Sequence, residues 1–487
     1  MATQLNDWLS IDKISGTGNA EITLTASSYT ELVDRAASIK IQAQSTNAIL
    51  NVRQKAYYIP IEKNNNYFWI EFENTGGEVS SLKHSWTDIY YSFDAKTWTA
   101  VDSTGVVSLN TKRLVYLKNK TKTLISRYAD GALRYIAINF NSNAKIGGDL
   151  SSMTNMEGSC CERLFKDNIY LTDASALILP WDTLDNSCYC YMFEGCSSLT
   201  KAPVLPATTL AGDCYSHMFS KCSSLTIAPE LPITTLVNTC YGYMFEGCSS
   251  LTKAPILPAT TLAEWCYYSM FSGCSSLTKA PELPATTLAE WCYAYMFAGC
   301  SNLTTVPELP VTTLTERCYY AMFKDCKSLT IAPSLPAITL TEGCYSNMFA
   351  GCKSLTTAPS LPSTTLAPDC YATMFGGCTS LKIAPALPAI TLASECYLAM
   401  FNGCTSITIA PELPASNLYY NCYLSMFDGC TSLNYIKMLA KVVNSNYLKN
   451  WVRGVATTGT FIKHPDANLT KGVNGIPKGW TVETATE

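Results

Sequence analysis

Cysteines are the most regularly spaced residues of this chain that could carry out chemistry. The sequence of 487 residues contains 23 of them, and 20 recur in pairs at fixed positions. The first cysteine of each pair recurs every 26 residues, at Cys188, Cys214, Cys240, Cys266, Cys292, Cys318, Cys344, Cys370, Cys396 and Cys422. The second follows eight residues later, from Cys196 to Cys430. Disulfides, metal ligands and buried free thiols are the three roles open to such pairs.

The spacing favours free thiols. Zinc sites use cysteines two to four residues apart with a second pair nearby, and neither these pairs nor Cys160 with Cys161 follow that pattern. Two cysteines eight residues apart on one helix face would lie roughly 12 Å apart, too far for a disulfide. We predict two ladders of buried thiols, with no metal and no cofactor. Such thiols also suit assembly in a reducing cytoplasm.

The remaining residues offer little for catalysis. The three histidines fall in three different regions, at His84, His217 and His464, so a triad or a zinc site is hard to build. Four glutamates share one position between a proline and a leucine, at Glu230, Glu282, Glu308 and Glu412. We interpret them as a solvated row and predict that the protein is not an enzyme. A glycan-active enzyme that uses these carboxylates is the alternative from another class.

Composition excludes several partners. Hydrophobic residues make up 47% of the chain and charged residues 15%, with a formal net charge of −4. No dense basic patch and no apolar run of membrane-spanning length occur, so we predict no nucleic-acid binding and no membrane insertion. The first ten residues lack a basic and then an apolar region. We therefore expect a protein that is not exported by a cleaved signal, the alternative being that a signal has been removed.

The cysteine pairs belong to a repeat unit, C-Y-x-x-M-F-x-x-C-x-S-L-T-x-A-P-x-L-P-A-x-T-L. Its first nine residues carry apolar side chains at positions 0, 1, 4, 5 and 8, which predicts a short helix. In the second unit this face is formed by Cys214, Tyr215, Met218, Phe219 and Cys222.

The second part of each unit is predicted to be extended, because its two prolines exclude a helix. The strand must be short, since proline cannot donate a ladder hydrogen bond. Leu225, Ala228 and Leu231 are expected to point inward. One coil cannot bury its own apolar face, so ten coils are expected to stack into a solenoid. The constant tyrosines, Tyr189 to Tyr423, are interpreted as a packing ladder, the alternative being an exposed stripe for ligands.

The repeat resembles the BspA-type leucine-rich repeats of Bacteroidetes surface and prophage proteins. The similarity rests on M-F-x-G-C-x-S-L-T-x-A-P-x-L-P-A-T-T-L, as in residues 244–262, and covers about 188–433. The C-terminal stretch 475–482 resembles the usual ending of such proteins. The resemblance implies a right-handed solenoid with a role in adhesion or recognition.

The N-terminal frame resembles a BACON domain, an immunoglobulin-like module. The residues that carry this resemblance are Trp8, Leu9, Gly16, Gly18, Asn19, Arg35, Ile39, Val52 and Gln54. Strand-rich residues 58–148 are predicted to form a second β-sandwich, in which Ser92 to Trp98 resembles an Asp-box turn.

The predicted fold is therefore multi-domain: two immunoglobulin-like β-sandwich modules followed by a right-handed α/β leucine-rich-repeat solenoid of ten 26-residue coils. The expected parts are 1–57 (BACON-like), 58–148 (second sandwich), 149–187 (N-terminal cap), 188–433 (repeats) and 434–487 (C-terminal cap).

Candidate binding residues are aromatic side chains at positions that vary within the constant frame: Trp265, Trp291, Tyr243, Tyr268, Tyr295 and Tyr320. If they point outward, coils three to six display an aromatic patch of the kind that marks binding sites. Tryptophans that cover a neighbouring coil are the alternative.

The sequence predicts a non-enzymatic recognition protein that binds a cell-surface glycan or protein. The favoured setting is a phage or prophage virion, assembled in the bacterial cytoplasm, in which a tail or fibre-associated component contacts the bacterial surface and other virion proteins. A fibre would be a homo-oligomer. The alternative is an exported Bacteroidetes adhesin on the cell surface that binds a host protein or glycan.

Overall fold

The chain divides into two compact units, Met1–Asn64 and Asn65–Glu487, in the computed structural model. In the first unit the structure describes five strands and residues 63 and 64. In the second it describes residues 65–82, 88–122, 125–127, 133–135, 137–156, 158–441 and 443–486. Among these described residues no helix is long and apolar enough to span a bilayer.

Nineteen strands are numbered in chain order among the described residues. They are β1 Thr3–Asn6, β2 Leu9–Ile11, β3 Leu24–Ala26, β4 Arg35–Ala43, β5 Thr46–Gln54, β6 Phe68–Phe72, β7 Glu78–Ser80, β8 Ile89–Ser92, β9 Thr99–Ala100, β10 Val107–Ser108, β11 Leu114–Asn119, β12 Ile125–Arg127, β13 Leu133–Tyr135, β14 Asn139–Phe140, β15 Ala144–Asp149, β16 Leu171–Ile178, β17 Tyr435–Met438, β18 Thr460–Lys463 and β19 Thr481–Thr484. Two short 3₁₀ helices, Leu150–Ser152 and Ser445–Leu448, are the described helices.

The first unit is a β structure. Strands β1, β2 and β3 form an antiparallel sheet, and β4 pairs with β5 in a long antiparallel hairpin. The strand content agrees with the predicted N-terminal module, but its immunoglobulin-like fold is not confirmed by these strands.

The second predicted β-sandwich, over 58–148, is not confirmed as a separate module. A six-stranded sheet in the order β16-β15-β6-β11-β8-β9 joins strands of that segment to the predicted cap. All five residues of β6 are buried because both faces of this sheet are covered. Strand β15 then pairs in parallel with β16, and Asp173 of β16 bridges in parallel to Lys201 of the first coil. The solenoid therefore begins at about residue 144.

The predicted helix in each coil is wrong. Cys188 to Cys196, and the equivalent residues of all ten coils, form successive turns with four residues per turn. The buried face was nevertheless predicted correctly: Cys214, Tyr215, Met218 and Phe219 are at most 1% exposed. The α part of the predicted α/β solenoid is thus replaced by turns.

Backbone angles show why this segment cannot be helical. Three positions in every coil have φ between about 50° and 76°: the residue before the first cysteine, the third residue after it and the seventh. In coil four these are Trp265, Ser269 and Gly273. A left-handed residue at every fourth position interrupts any right-handed helix. Positive φ at the third residue of a turn is typical of type II turns.

Hydrogen bonds alternate along this turn segment. The amide of Tyr267 donates to the carbonyl of Cys292 in the next coil (3.1 Å), whereas the amide of Tyr268 donates three residues back to Trp265 (3.1 Å). The same alternation continues at Ser269 and Met270. Every second amide therefore joins neighbouring coils, and the rest close turns within one coil.

Opposite the turns, the proline-rich segment is extended and short, as predicted. Single parallel bridges join neighbouring coils there, such as Ile331 to Thr357 and Thr357 to Ile383. Leu225, Ala228 and Leu231 are buried, as expected for inward-pointing residues.

Two ring ladders run through the core. Each buried tyrosine from Tyr189 to Tyr423 stacks on the tyrosine of the next coil at centroid distances of 5.6–6.1 Å. The phenylalanines from Phe165 to Phe427 stack likewise at 5.4–5.9 Å. This confirms the packing interpretation of the tyrosines.

Both ladders end on Trp451, which contacts Tyr423 at 6.3 Å and Phe427 at 6.1 Å. Its indole donates to the carbonyl of Gly475 at 2.8 Å. Strands β17, β18 and β19 continue the parallel stack past the tenth coil, so the predicted C-terminal cap prolongs the solenoid to about residue 484.

The left-handed positions lead to a stability prediction in which the same substitution costs less at one alanine than at another. Ala321 has φ 51°, whereas Ala350 does not have a positive φ, and both are buried. Glycine at Ala321 removes the energetic cost of a side chain in the left-handed region. Glycine at Ala350 brings no such gain and raises the conformational entropy of the unfolded chain, which destabilises the fold. We expect Ala321→Gly to be at least about 1 kcal/mol more stable than Ala350→Gly.

Urea unfolding of the two variants measures this difference directly. Because each substitution removes one buried methyl group, the packing loss is similar and the comparison isolates the backbone. Equal destabilisation of both variants would contradict the left-handed assignment.

Candidate functional site

The six aromatic residues singled out from the sequence lie together on the turn side of the coils. Trp265, Trp291, Tyr243, Tyr268, Tyr295 and Tyr320 are all half-buried. Trp265 and Trp291 hold the left-handed position before the first cysteine, and Tyr243 and Tyr295 hold the one after it. The turns therefore direct variable side chains to one surface while the constant ones enter the core.

The two tryptophans stack on each other with centroids 4.8 Å apart and planes 11° apart. Tyr268 packs against Trp265 at 4.7 Å and links the tryptophans to Tyr243 at 5.0 Å. The tryptophans therefore do both things that the sequence left open: each covers its neighbour, and each remains partly exposed.

Tyr295 and Tyr320 extend the cluster towards coil six. Their centroids are 5.3 Å apart, and Tyr320 also lies 5.6 Å from Trp291. Burial and the neighbouring Tyr320 raise the pKa of Tyr295 to about 12. Asn347 of coil seven donates to the Tyr320 hydroxyl at 3.3 Å and closes this end.

Two further rings, missed in the sequence, continue the cluster towards coil one. Tyr191 stacks on His217 at 4.5 Å, and His217 stacks on Tyr243 at 4.2 Å. Burial lowers the pKa of His217 to about 4, so it is neutral near pH 7. Both occupy the same repeat position as Tyr243, which is the signal that could have identified them.

We call these eight rings the aromatic band: Tyr191, His217, Tyr243, Trp265, Tyr268, Trp291, Tyr295 and Tyr320. Its tyrosines stand at the second or the third residue after the first cysteine of a coil. Where one of these two positions carries tyrosine, the other carries a small residue in the four coils from three to six. Tyr268 and Tyr320 are followed by Ser269 and Ala321, whereas Tyr243 and Tyr295 are preceded by Gly242 and Ala294. The tyrosines of coils three to six therefore alternate between these two repeat positions.

The ring faces in the band are largely covered by other rings. His217 is sandwiched between Tyr191 and Tyr243, and the indoles cover each other. The arginine of coil six, Arg317, lies 5.2 Å over Trp291. Apart from the coil-three face of Trp265, the band thus offers ring edges and hydroxyl groups to a partner, rather than a row of open faces for stacking sugar rings.

The cysteines are structural, as predicted. All 23 are buried and none forms a disulfide. The second cysteine of each coil donates its S–H to the carbonyl of a phenylalanine in the preceding coil, as Cys274 does to Phe245 at 3.2 Å. The ten such bonds measure 3.0–3.2 Å. The sulfurs of Cys160 and Cys188 lie 2.8 Å apart.

The other groups considered for chemistry are dispersed. Glu230, Glu282, Glu308 and Glu412 are exposed on the proline side of the coils. His464 accepts a hydrogen bond from the Asp466 amide at 3.1 Å, and His84 lies outside the described residues. Among the described residues no group of three potential ligands could hold a metal ion.

The Asp-box segment forms a turn. Asp94 accepts hydrogen bonds from the amides of Lys96 and Thr97, both at 2.8 Å, and these bonds hold the pKa of its carboxyl well below the usual range. Trp98 at the end of this turn packs beneath the ammonium of Lys118 at 4.0 Å. Trp98 and Lys118 line a cavity of about 580 Å³, and Lys120 and Lys122 also line it.

Comparison with known proteins agrees with this architecture. The family model of the BACON domain, an N-terminal binding domain, matches residues 3–55. The family model of the BspA type leucine-rich repeat region matches six copies over residues 186–330 and 267–408. None of the curated proteins matches the chain.

Among solved structures, the crystal structure of a TLR13–ssRNA13 complex aligns with 60% of this chain and 42% of its own, at 12% identity. The TM-score of 0.22 is too low to support an argument about fold or partner.

Stacked 26-residue coils with a buried leucine and paired cysteines define a solenoid of the leucine-rich-repeat class, and the two matched domain types are those of a binding protein. The chain is a BspA-type leucine-rich repeat protein with an N-terminal BACON domain.

Proposed function

We propose that this protein is a non-enzymatic recognition protein that binds a protein partner on the bacterial surface through the aromatic band. The observation that carries the proposal is the band itself: eight half-buried rings in mutual contact over coils one to six. The constant tyrosine and phenylalanine rings of the repeat are buried instead. Clustered, partly exposed tryptophan and tyrosine are typical of interaction surfaces.

A protein partner suits this surface better than a glycan. Sugar rings stack on open aromatic faces, whereas the band uses most of its faces internally and presents mainly edges and hydroxyls. Tyrosine and tryptophan edges with an adjacent arginine are the residues enriched at the centres of protein interfaces. Arg317, over Trp291, supplies that arginine.

For the setting, we propose a tail or fibre-associated component of a phage or prophage virion. Twenty-three buried thiols without a disulfide support assembly in a reducing cytoplasm. A homo-oligomeric fibre belongs to this proposal. The competing setting is an exported cell-surface adhesin.

Quantitative mass spectrometry of purified virions and of cell envelopes from the source bacterium separates the two settings. Enrichment in virions supports the first, and enrichment in envelopes of uninduced cells overturns it.

The principal prediction concerns the two tryptophans. Because both have positive φ, they should be replaced by asparagine, which Asn421 already provides at the same position in coil ten with φ 52°. We expect the Trp265→Asn, Trp291→Asn double variant to lose at least about thirtyfold in affinity, the effect of removing a central interface anchor. The measurement is binding of the fluorescently labelled full chain to intact cells of the source bacterium.

The matched control is Thr373→Asn with Ala399→Asn, at left-handed, half-buried positions of coils eight and nine outside the band. It should bind as the wild type does. Mild protease treatment of the cells should abolish binding, and periodate oxidation of their glycans should not. Unchanged binding by the tryptophan variant, or sensitivity to periodate alone, would refute the proposal.

A further inference from the structure

We propose that the partner presents a segment rich in arginine and lysine, which enters the aromatic band along a row of carboxylates. This inference rests on the proposed function and specifies the chemistry of its partner. The row is formed by the two residues that precede the first cysteine in coils two to nine. It contains seven acids and one base, and we call it the acidic edge: Asp213, Glu264, Glu290, Glu316, Arg317, Glu342, Asp369 and Glu395.

The acidic edge lies in register with the tryptophans. The amide of Trp265 donates to the carbonyl of Glu290 at 3.2 Å, and that of Trp291 donates to the carbonyl of Glu316 at the same distance. Each indole therefore has a glutamate before it in its own coil and another beside it in the next coil. Carboxylates and partly exposed rings form one continuous surface.

The negative charge of the edge is only partly compensated. Arg317, its one base, is bonded to Glu316 and to Glu342 (2.5 Å). Glu264 and Glu290 are exposed and lie beyond this pair. In coil eight, burial and the neighbouring carboxylates of Glu395 and Glu342 raise the pKa of Asp369, as expected where acidic side chains lie close together.

The chain already contains two copies of the arrangement that we infer for the partner. The guanidinium of Arg317 lies over the Trp291 ring at 5.2 Å while it binds two carboxylates. At the other end of the band, the ammonium of Lys166 lies 5.1 Å over Tyr191 and 2.5 Å from Glu194. In both, a cation is held by a ring face and a carboxylate together.

Trp265 has a carboxylate for such an arrangement, and among the described residues no cation lies over its ring. On its coil-three side the equivalent residue is Thr239, which carries neither a ring nor a charge. The Glu264 carboxylate lies on this side, since it accepts a hydrogen bond from the Asn238 side chain of coil three at 3.4 Å. Glu290 lies in coil five, on the opposite side of the indole. An arginine or lysine from a partner would contact the coil-three face of Trp265 and the Glu264 carboxylate, as Arg317 contacts Trp291 and Glu316.

The test uses the full chain and a short synthetic peptide of alternating arginine and serine, followed by tryptophan fluorescence and calorimetry at low and physiological salt. The control peptide carries citrulline in place of arginine, which keeps the shape and removes the charge. We expect the arginine peptide to bind at least about tenfold more tightly than the citrulline peptide, and its binding to weaken with salt.

Glu264→Gln with Glu290→Gln should reduce binding of the arginine peptide about tenfold. Glu230→Gln with Glu308→Gln, which removes two exposed acids from the proline side, should leave it unchanged. Equal binding of the two peptides, or equal effects of the two glutamine pairs, would overturn the inference.

Binding to intact cells separates this inference from the proposed function. If the tryptophan variant loses cell binding while Glu264→Gln with Glu290→Gln retains it, the band is the interface but the partner is not cationic. Loss with both variants supports both proposals, and retention with both refutes both.

Discussion

The solenoid is expected to unfold steeply as the pH rises from about 8 to about 10, because its cysteines can ionise only after unfolding. Burial raises the pKa of all twenty repeat cysteines, for example that of Cys248 to about 12 and that of Cys318 to about 11. In the unfolded chain the same thiols ionise near pH 9. Above that pH the unfolded state therefore binds fewer protons than the folded state, so each further rise in pH favours unfolding.

The direction and the magnitude of this pH dependence follow from the difference in proton binding between the two states. The contribution of each thiol is complete below its unfolded pKa and is lost progressively between that value and its folded pKa. Each thiol lowers the free energy of unfolding by about 1.4 kcal/mol per pH unit within this range. Twenty thiols lower it by on the order of 25 kcal/mol per unit, which exceeds the roughly 5–15 kcal/mol that keeps a typical domain folded.

Urea unfolding followed by circular dichroism between about pH 7 and pH 10, with a phosphine reductant present, measures this dependence. Replacing the two cysteines of coil four, Cys266→Ala with Cys274→Ala, should reduce the steepness by about one tenth, because two of twenty groups are removed. Stability that stays constant up to about pH 10 would contradict the burial of these thiols in their protonated form.

The second large effect is expected from the phenylalanine ladder. Phe271 is fully buried and stacks at 5.7 Å on both Phe245 and Phe297. Phe271→Ala should lower the free energy of unfolding by about 3–5 kcal/mol, since it removes both stacks and leaves a cavity. Because each coil contacts only its neighbours, the loss should be concentrated in coils three to five.

Denaturant unfolding gives the total loss, and hydrogen exchange of the inter-coil amides shows where it falls. Phe271→Leu, which keeps most of the volume, should cost less than about 1.5 kcal/mol. A loss below about 1 kcal/mol for the alanine variant, or exchange that rises uniformly along the chain, would contradict a local contribution of this size from the ladder.

Much of the solenoid could be predicted from the repeat, since its period and its buried face depend only on which residues are apolar. The secondary structure of the first half of each coil was not recovered, because turns of four residues and a helix of 3.6 residues both bring positions 0, 4 and 8 to one face. Glycine at the position before the second cysteine in eight coils, from Gly195 to Gly429, was the contrary signal. Glycine is unfavourable inside a helix and suits the positive φ observed there.

The site was predicted in part for a related reason. A fixed repeat places equivalent positions side by side, so Trp265 and Trp291 could be expected to meet before any coordinates were known. Their stacking geometry could not, because it depends on the left-handed backbone at both residues. Tyr191 and His217 were missed although they occupy the same repeat position as Tyr243, the third residue after the first cysteine. The merging of residues 65–148 with the solenoid depends on long-range pairing of β15 with β6 and β16, which local patterns do not encode.

Because each coil contacts only the coils next to it, whole units can be lost or gained in the gene without disturbing the rest of the solenoid. Because the backbone and core contacts between coils repeat in the same register, recombination that deletes or duplicates one unit in frame rejoins two surfaces that already fit each other. Loss or gain of a unit among coils seven to ten would change the reach of the protein and leave coils one to six intact. We therefore expect naturally occurring alleles to differ in length by whole units at that end, so that one recognition surface is carried on stems of several lengths.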